Sequence, residues 1–137
     1  MSQCAHTTAN VQIIRELYDA MGRADSDRLR SLLSEDVTFV VPGPDGVGAA
    51  GTWRGFDGVQ ACFHKLRREQ ENYAVEILEF VAERDTVVVR LHVKGKSLRT
   101  GKSFESDIIH YFSIENGRIV RLLDFFDTAA LAEAHHV

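Results

Sequence analysis

A chain of 137 residues, 45% hydrophobic and 26% charged, has the length and composition of one compact domain with an ordinary core and no room for a second. Sixteen basic against twenty acidic residues give a net charge of −4 with the signs interspersed, which argues against nucleic-acid binding through a basic face. No apolar run approaches bilayer-spanning length and the first residues lack a basic stretch followed by an apolar one, so a cytoplasmic protein without membrane contact is expected.

Residues 1–8 are read as a flexible tail. Val11, Ile14, Leu17, Tyr18 and Met21 then recur at helical spacing, and Gly22 follows as a stop. Asp25 or Ser26 can cap a second helix whose stripe is Leu29, Leu32 and Leu33, broken by Ser34-Glu35-Asp36. The β-branched and aromatic run 37–41 predicts a first strand, ended by Pro42. Between Gly43 and Gly51 the glycines predict a mobile loop, which is either a lid beside a pocket or a plain connection. Trp53 ends it. Gly55-Phe56-Asp57-Gly58 leads into a third helix with Val59, Phe63 and Leu66 on its apolar side. Cys4 and Cys62 are too few and too far apart in sequence for a disulfide framework, so both are expected as reduced thiols, Cys62 in the core.

After Asn72 the pattern changes to long strands at 73–82, 86–98, 103–114 and 118–126, separated by short turns that imply antiparallel neighbours. A short helix is expected at 128–134. Helices first and a strongly curved antiparallel sheet afterwards define an α+β layer design, a cone in which the sheet wraps around the amino-terminal helices and leaves a pocket at its mouth.

Two of these strands carry one ionisable residue each on an apolar face. On the first, the face is Phe104, Ser106, Ile108, His110, Phe112 and Ile114; on the next it is Val120, Leu122, Asp124 and Phe126. Alternate side chains of a strand point the same way, so His110 and Asp124 are expected inside one curved hairpin, joined by Glu115-Asn116-Gly117. An imidazole and a carboxylate among hydrophobes are costly unless paired or used, and together they can exchange protons. Strand 86–98 has Val87, Val89, Leu91 and Val93 on one face and Val88, Arg90, His92 and Lys94 on the other. Arg90 and His92 are surface groups if that face meets solvent and site residues if it turns inward. His135 and His136 near one end and His6 near the other suggest no metal site.

The stretches Ile14-Arg15-Glu16-Leu17-Tyr18, Trp53-Arg54-Gly55, Gly117-Arg118-Ile119-Val120 and Asp124-Phe125-Phe126-Asp127 resemble the nuclear-transport-factor-2-like superfamily over nearly the whole chain. The closest flavour is the SnoaL-like group of polyketide cyclases and ketosteroid-isomerase relatives. In SnoaL-like cyclases the resemblance implies an aspartate on the last strand as general acid/base with a histidine on the preceding strand, positions held by Asp124 and His110. It implies an intramolecular aldol closure that needs neither metal nor organic cofactor. Ketosteroid isomerases place their base just before the proline that follows the first strand, where this chain has Val41. Limonene epoxide hydrolases use an arginine and an aspartate two apart on one strand with an aspartate on the last; Arg90 and Asp124 match, and His92 stands where the first aspartate would be.

The sequence therefore leads us to expect a single SnoaL-like domain that binds a hydrophobic small molecule and performs cofactor-free acid-base chemistry of cyclase or isomerase type. The expected catalytic set is Asp124, His110, Arg90 and His92, and the expected ligand wall is Tyr18, Trp53, Phe112, Leu122 and Phe126. A homodimer through the exposed sheet face is expected. The alternatives are an epoxide hydrolase-like enzyme and a non-catalytic ligand-binding protein.

Overall fold

In a computed structural model of the chain, residues 3–136 are described, and side chains from His6 onward. Helix α1 (Gln3–Arg23) lays Ile14, Leu17 and Ala20 against the core, and it begins at Gln3, so residues 3–8 are helical where a tail was expected; residues 1 and 2 lie outside the described ones. Asp25 caps α2 (Ser26–Leu32), its side chain accepting from the Arg28 backbone N–H at 3.1 Å. Strand β1 (Leu33–Val41) follows, then a short strand β2 (Gly51–Arg54) and helix α3 (Gly55–Glu69). Strands β3 (Gln70–Glu83), β4 (Thr86–Ser97), β5 (Ser103–Glu115) and β6 (Arg118–Phe125) and helix α4 (Thr128–His135) complete the chain. No helix among the described residues is long and apolar enough to cross a membrane.

The six strands form one curved, unclosed sheet in the order β2-β1-β6-β5-β4-β3. Every neighbouring pair is antiparallel except β1 and β6, which run parallel. Tight turns force antiparallel pairing on consecutive strands, whereas β1 and β6 are joined through most of the domain and escape that constraint. The β5–β6 turn is as the Asn-Gly signal predicts: Asn116 and Gly117 take positive φ angles of 51° and 75°, the combination that matches the twist of a two-residue hairpin. Strand β2 replaces the last part of the predicted loop. It pairs Trp53 with Phe39, and the Trp53 ring N–H donates to the Ala49 carbonyl at 2.8 Å, so the tryptophan staples the loop end to β1.

One buried cluster unites α1, α2, α3 and the concave face of the sheet, including Leu17, Phe39, Phe63, Val89 and Phe112. Parity groups the residues of β4 as expected, and the structure buries the face made of Val87, Val89, Leu91 and Val93. On β6 it fails at one position. The register shifts between the pairs Ser113–Arg121 and Ile114–Ile119, which leaves Val120 as an extra residue, so Ile119 enters the core and Val120 is only partly covered.

Gly95 on β4 permits a close approach at the far end of the concave face. A Cβ there would stand 2.5 Å from the Phe104 ring and 2.8 Å from the Glu71 carbonyl, so Phe104 lies directly over the β4 backbone.

Candidate functional site

The concave face of the sheet and the helices enclose a cavity of about 210 Å³ whose walls are mainly apolar. Strand β5 supplies its floor through Phe104, Ser106, Ile108 and His110, while Leu122, Asp124 and Phe126 continue the wall from the neighbouring chain segment. His110 and Asp124 face each other directly in the β5–β6 ladder. Their side chains are 13% and 19% exposed, and His110 Nε2 stands 3.4 Å from Asp124 Oδ1. That separation exceeds a normal N–H···O hydrogen bond, and Asp124 Oδ1 is buried without any hydrogen-bond partner.

The other ring nitrogen is tied down. Tyr18 Oη lies 2.8 Å from His110 Nδ1, and the two rings stack at 5.8 Å between centroids. Burial, and then the charge of Asp124, push the Tyr18 hydroxyl well above the ordinary tyrosine range, so it keeps its proton beside Nδ1. The contact leaves Nε2 as the ring nitrogen that faces Asp124. Phe112 meets both rings edge-on and holds them in place from below the cavity rather than lining it. Tyr18 was expected only as an apolar wall; its role as the partner of His110 depends on α1 crossing β5, and no local pattern in the sequence reports that crossing.

Of the expected ligand wall, Tyr18, Leu122 and Phe126 line the cavity, whereas Phe112 and Trp53 pack behind it. Two members of the expected catalytic set lie elsewhere. Arg90 and His92 point to the convex face of the sheet, because β4 buries its odd-numbered residues and pairs Val89 with His110. Arg90 is 48% exposed and meets Glu79 at 3.6 Å. His92 bridges two carboxylates, with Nδ1 2.6 Å from Asp107 and Nε2 2.8 Å from Glu105. The hydrogen bond to Glu105, and then that to Asp107, raise the His92 pKa above its ordinary value. Arg90, His92 and Asp124 therefore do not share a site, and the arginine–aspartate arrangement of epoxide hydrolases is not assembled.

Val41, at the position where ketosteroid isomerases keep their base, is buried against the same cavity and supplies no carboxylate. Cys62 is a free, buried thiol in the wall; burial, and then the Asp124 charge, push its pKa up to about 12. The Cys4 side chain lies outside the described ones. Asp127 also touches the cavity but is occupied as the cap of α4, accepting from the Ala130 N–H at 3.0 Å. Phe104, Ser106 and Ile108 share parity with His110 and were legible as floor residues; Gln70 and Asn72, from the α3–β3 junction, were not.

A concave apolar cavity on an α+β roll, with one acid–imidazole pair on adjacent strands, defines the class of small-molecule proteins to which this geometry corresponds. The SnoaL-like domain model matches residues 14–122, and the chain belongs to that family within the nuclear-transport-factor-2-like superfamily. An uncharacterized protein of Mycobacterium tuberculosis is 27% identical over 126 residues, covering 92% of this chain and 95% of its own. The crystal structure of an NTF2-like protein from Burkholderia xenovorans is 30% identical with a TM-score of 0.88, covering 95% of this chain and 98% of that one. TerC, co-crystallized with polyporic acid, is 26% identical with a TM-score of 0.75 over 93% of this chain and 98% of its own.

Proposed function

We propose that this protein binds a hydrophobic small molecule in the concave cavity and moves a proton on it without a cofactor, as a cyclase or isomerase of the SnoaL-like type. The observation that carries this reading is the state of Asp124: a buried, unpartnered carboxylate oxygen at the wall of an apolar cavity, 3.4 Å from an imidazole nitrogen that Tyr18 orients from behind. An unsatisfied buried acceptor costs free energy, and such groups concentrate where chemistry is done.

In this reading Asp124 takes a proton from a carbon next to a carbonyl, and the electron pair moves toward the carbonyl oxygen. The His110 Nε2–H, with no full hydrogen bond to Asp124, donates to that oxygen as its charge develops. Asp124 then returns the proton, to another carbon in an isomerisation or to the alkoxide formed when the enolate carbon attacks a second carbonyl. Either course is isobaric. Phe104, Ile108 and Leu122 keep the cavity dry enough for these electrostatic contacts to count.

The co-crystallization of TerC with polyporic acid supports a ligand-holding cavity in this family and equally suits a protein that binds without transforming. Arg90 and His92 take no part in the proposed chemistry. On the convex face Val81, Val88, Tyr111 and Leu123 form a cross-strand apolar row, with Phe125 beside it, and we assign the homodimer contact to this row. Sedimentation that gives a concentration-independent monomer removes that assignment.

The test is incubation with a panel of polyketide-like ketones, steroid enones and terpene epoxides, followed by chromatography and mass detection, with Asp124→Asn alongside. An Asp124-dependent isobaric product establishes the reading. A ligand retained unchanged by both proteins moves the assignment to a binding protein.

A further inference from the structure

The cavity contains a second buried acceptor without a partner, at the opposite end from Asp124. Gln70 opens β3 directly after α3, and its Oε1 is buried and unpartnered. Its Nε2 donates to Asn72 Oδ1 at 3.1 Å, so the amide nitrogen is engaged and the oxygen is the atom left over. Asn72 pairs with Gly95 and Gly95 with Phe104, so this amide cluster stands at the Phe104 end of the floor.

His110 is six positions further along β5, a contour of about 20 Å at ~3.3 Å per residue. Between the two ends the lining is mainly apolar, through Leu91, Val93 and Ile108, and the Ser106 hydroxyl there is already engaged, donating to the Asp107 carbonyl and accepting from the Asp127 N–H. An unsatisfied acceptor thus stands toward each end of this stretch of the cavity lining. Buried acceptors are almost always satisfied in a working protein, by protein, water or ligand. A carboxylate is a poor match for the Gln70 end, because it would set its charge against Gln70 Oε1 and Asn72 Oδ1.

We propose that the natural guest is an elongated, largely apolar molecule with a neutral hydroxyl at the end remote from the reacting carbon, and that Gln70 Oε1 receives this hydroxyl. The inference rests on the proposed function for which end reacts, and adds the chemical class of the guest and the residue that sets its direction. Gln70 is a specificity residue, distant from the proton transfer.

Binding of inert probes tests this without turnover. The probes are 4-hydroxystilbene, 4-methoxystilbene and stilbene-4-carboxylate, each with a single polar end, titrated calorimetrically into the wild-type protein, Gln70→Met and Asp124→Asn. The hydroxy probe is expected to bind the wild type about tenfold more tightly than the methyl ether, the worth of one neutral hydrogen bond. Gln70→Met is expected to abolish that preference while leaving the affinity for the ether within about twofold, and its unfolding midpoint should change little, because the orphan acceptor is removed together with the exposed hydrogen bond to Asn72. Equal affinities in the wild type, a preference that survives in Gln70→Met, or tightest binding of the carboxylate would each overturn the proposal. The outcome is separable from the proposed chemistry: a hydroxyl preference without any Asp124-dependent product refutes only the reaction, and an Asp124-dependent product without the preference refutes only the role of Gln70.

Discussion

Tyr18 Oη and His110 Nδ1 lie 2.8 Å apart although 92 positions separate them in the chain. This contact sets which imidazole nitrogen faces Asp124. Tyr18→Phe keeps the ring and removes the hydroxyl, so we expect a stability loss of about 1 kcal/mol from the lost hydrogen bond. Turnover should fall about tenfold or more as the imidazole becomes free to exchange its tautomer. Nitrogen-15 NMR of the imidazole checks the cause: a ring that keeps its hydrogen on Nε2 in Tyr18→Phe would show that the tyrosine does not set the tautomer.

Asp124 should be a residue that the fold tolerates rather than needs. Its Oδ1 is buried without a partner, so Asp124→Asn is expected to leave stability unchanged or raise it by about 1 kcal/mol, while turnover falls by about 10³-fold. Urea denaturation of the two proteins measures the first and product formation the second. A clear loss of stability would mark the carboxylate as a structural group.

Stability should respond to pH through two histidines with opposite signs. The Glu105 and Asp107 hydrogen bonds raise His92, so its contribution is complete below about pH 6.5 and is lost as the pH rises through the folded-state value. His135 is lowered chiefly by burial, with its Nδ1 2.6 Å from the Ser97 hydroxyl. Its ring stays neutral in the fold, so stability is complete above about pH 6.5 and is lost as the pH falls toward the folded-state value. His92→Gln is expected to flatten the alkaline side of the urea-midpoint profile and His135→Asn the acid side. Proton NMR titration of either ring in the opposite direction would contradict this.

Gly95→Ala should destabilise the fold by about 1–3 kcal/mol, since a methyl group there meets both the Phe104 ring and the Glu71 backbone carbonyl and at least one must move. Displacing Phe104 also alters the floor of the cavity. Ligand affinity is therefore expected to drop with stability, whereas a change in neither would mean that the strand end relaxes freely.

Cys62 reports on the cavity directly. In a Cys4→Ser background its labelling by a thiol reagent at pH 8 should run about 10³-fold slower than that of a free thiol, because its pKa is pushed up to about 12, and bound ligand should slow it further. Labelling at the free-thiol rate would exclude a buried position.

The sequence by itself determined most element types, their order and the inward face of β5, because a period of two on a half-buried strand is a local property that tertiary packing has little freedom to change. It placed His110 and Asp124 on one hairpin closed by the Asn116-Gly117 turn, but the register of that turn alone would set His110 against Leu123, and the extra residue at Val120 moves Asp124 opposite it. It did not determine the inward face near Val120, where one extra residue on β6 reverses the parity. Nor could it choose between the two faces of β4: Arg90 and His92 are outside because the helices cover the apolar face, and which face a helix covers is settled only when both are packed. The Tyr18 contact, the far amide at Gln70 and the parallel pairing of β1 with β6 belong to the tertiary structure alone. Each joins residues distant in sequence, and the free energy that brings them together comes from burying the shared core, to which no single segment holds the pattern.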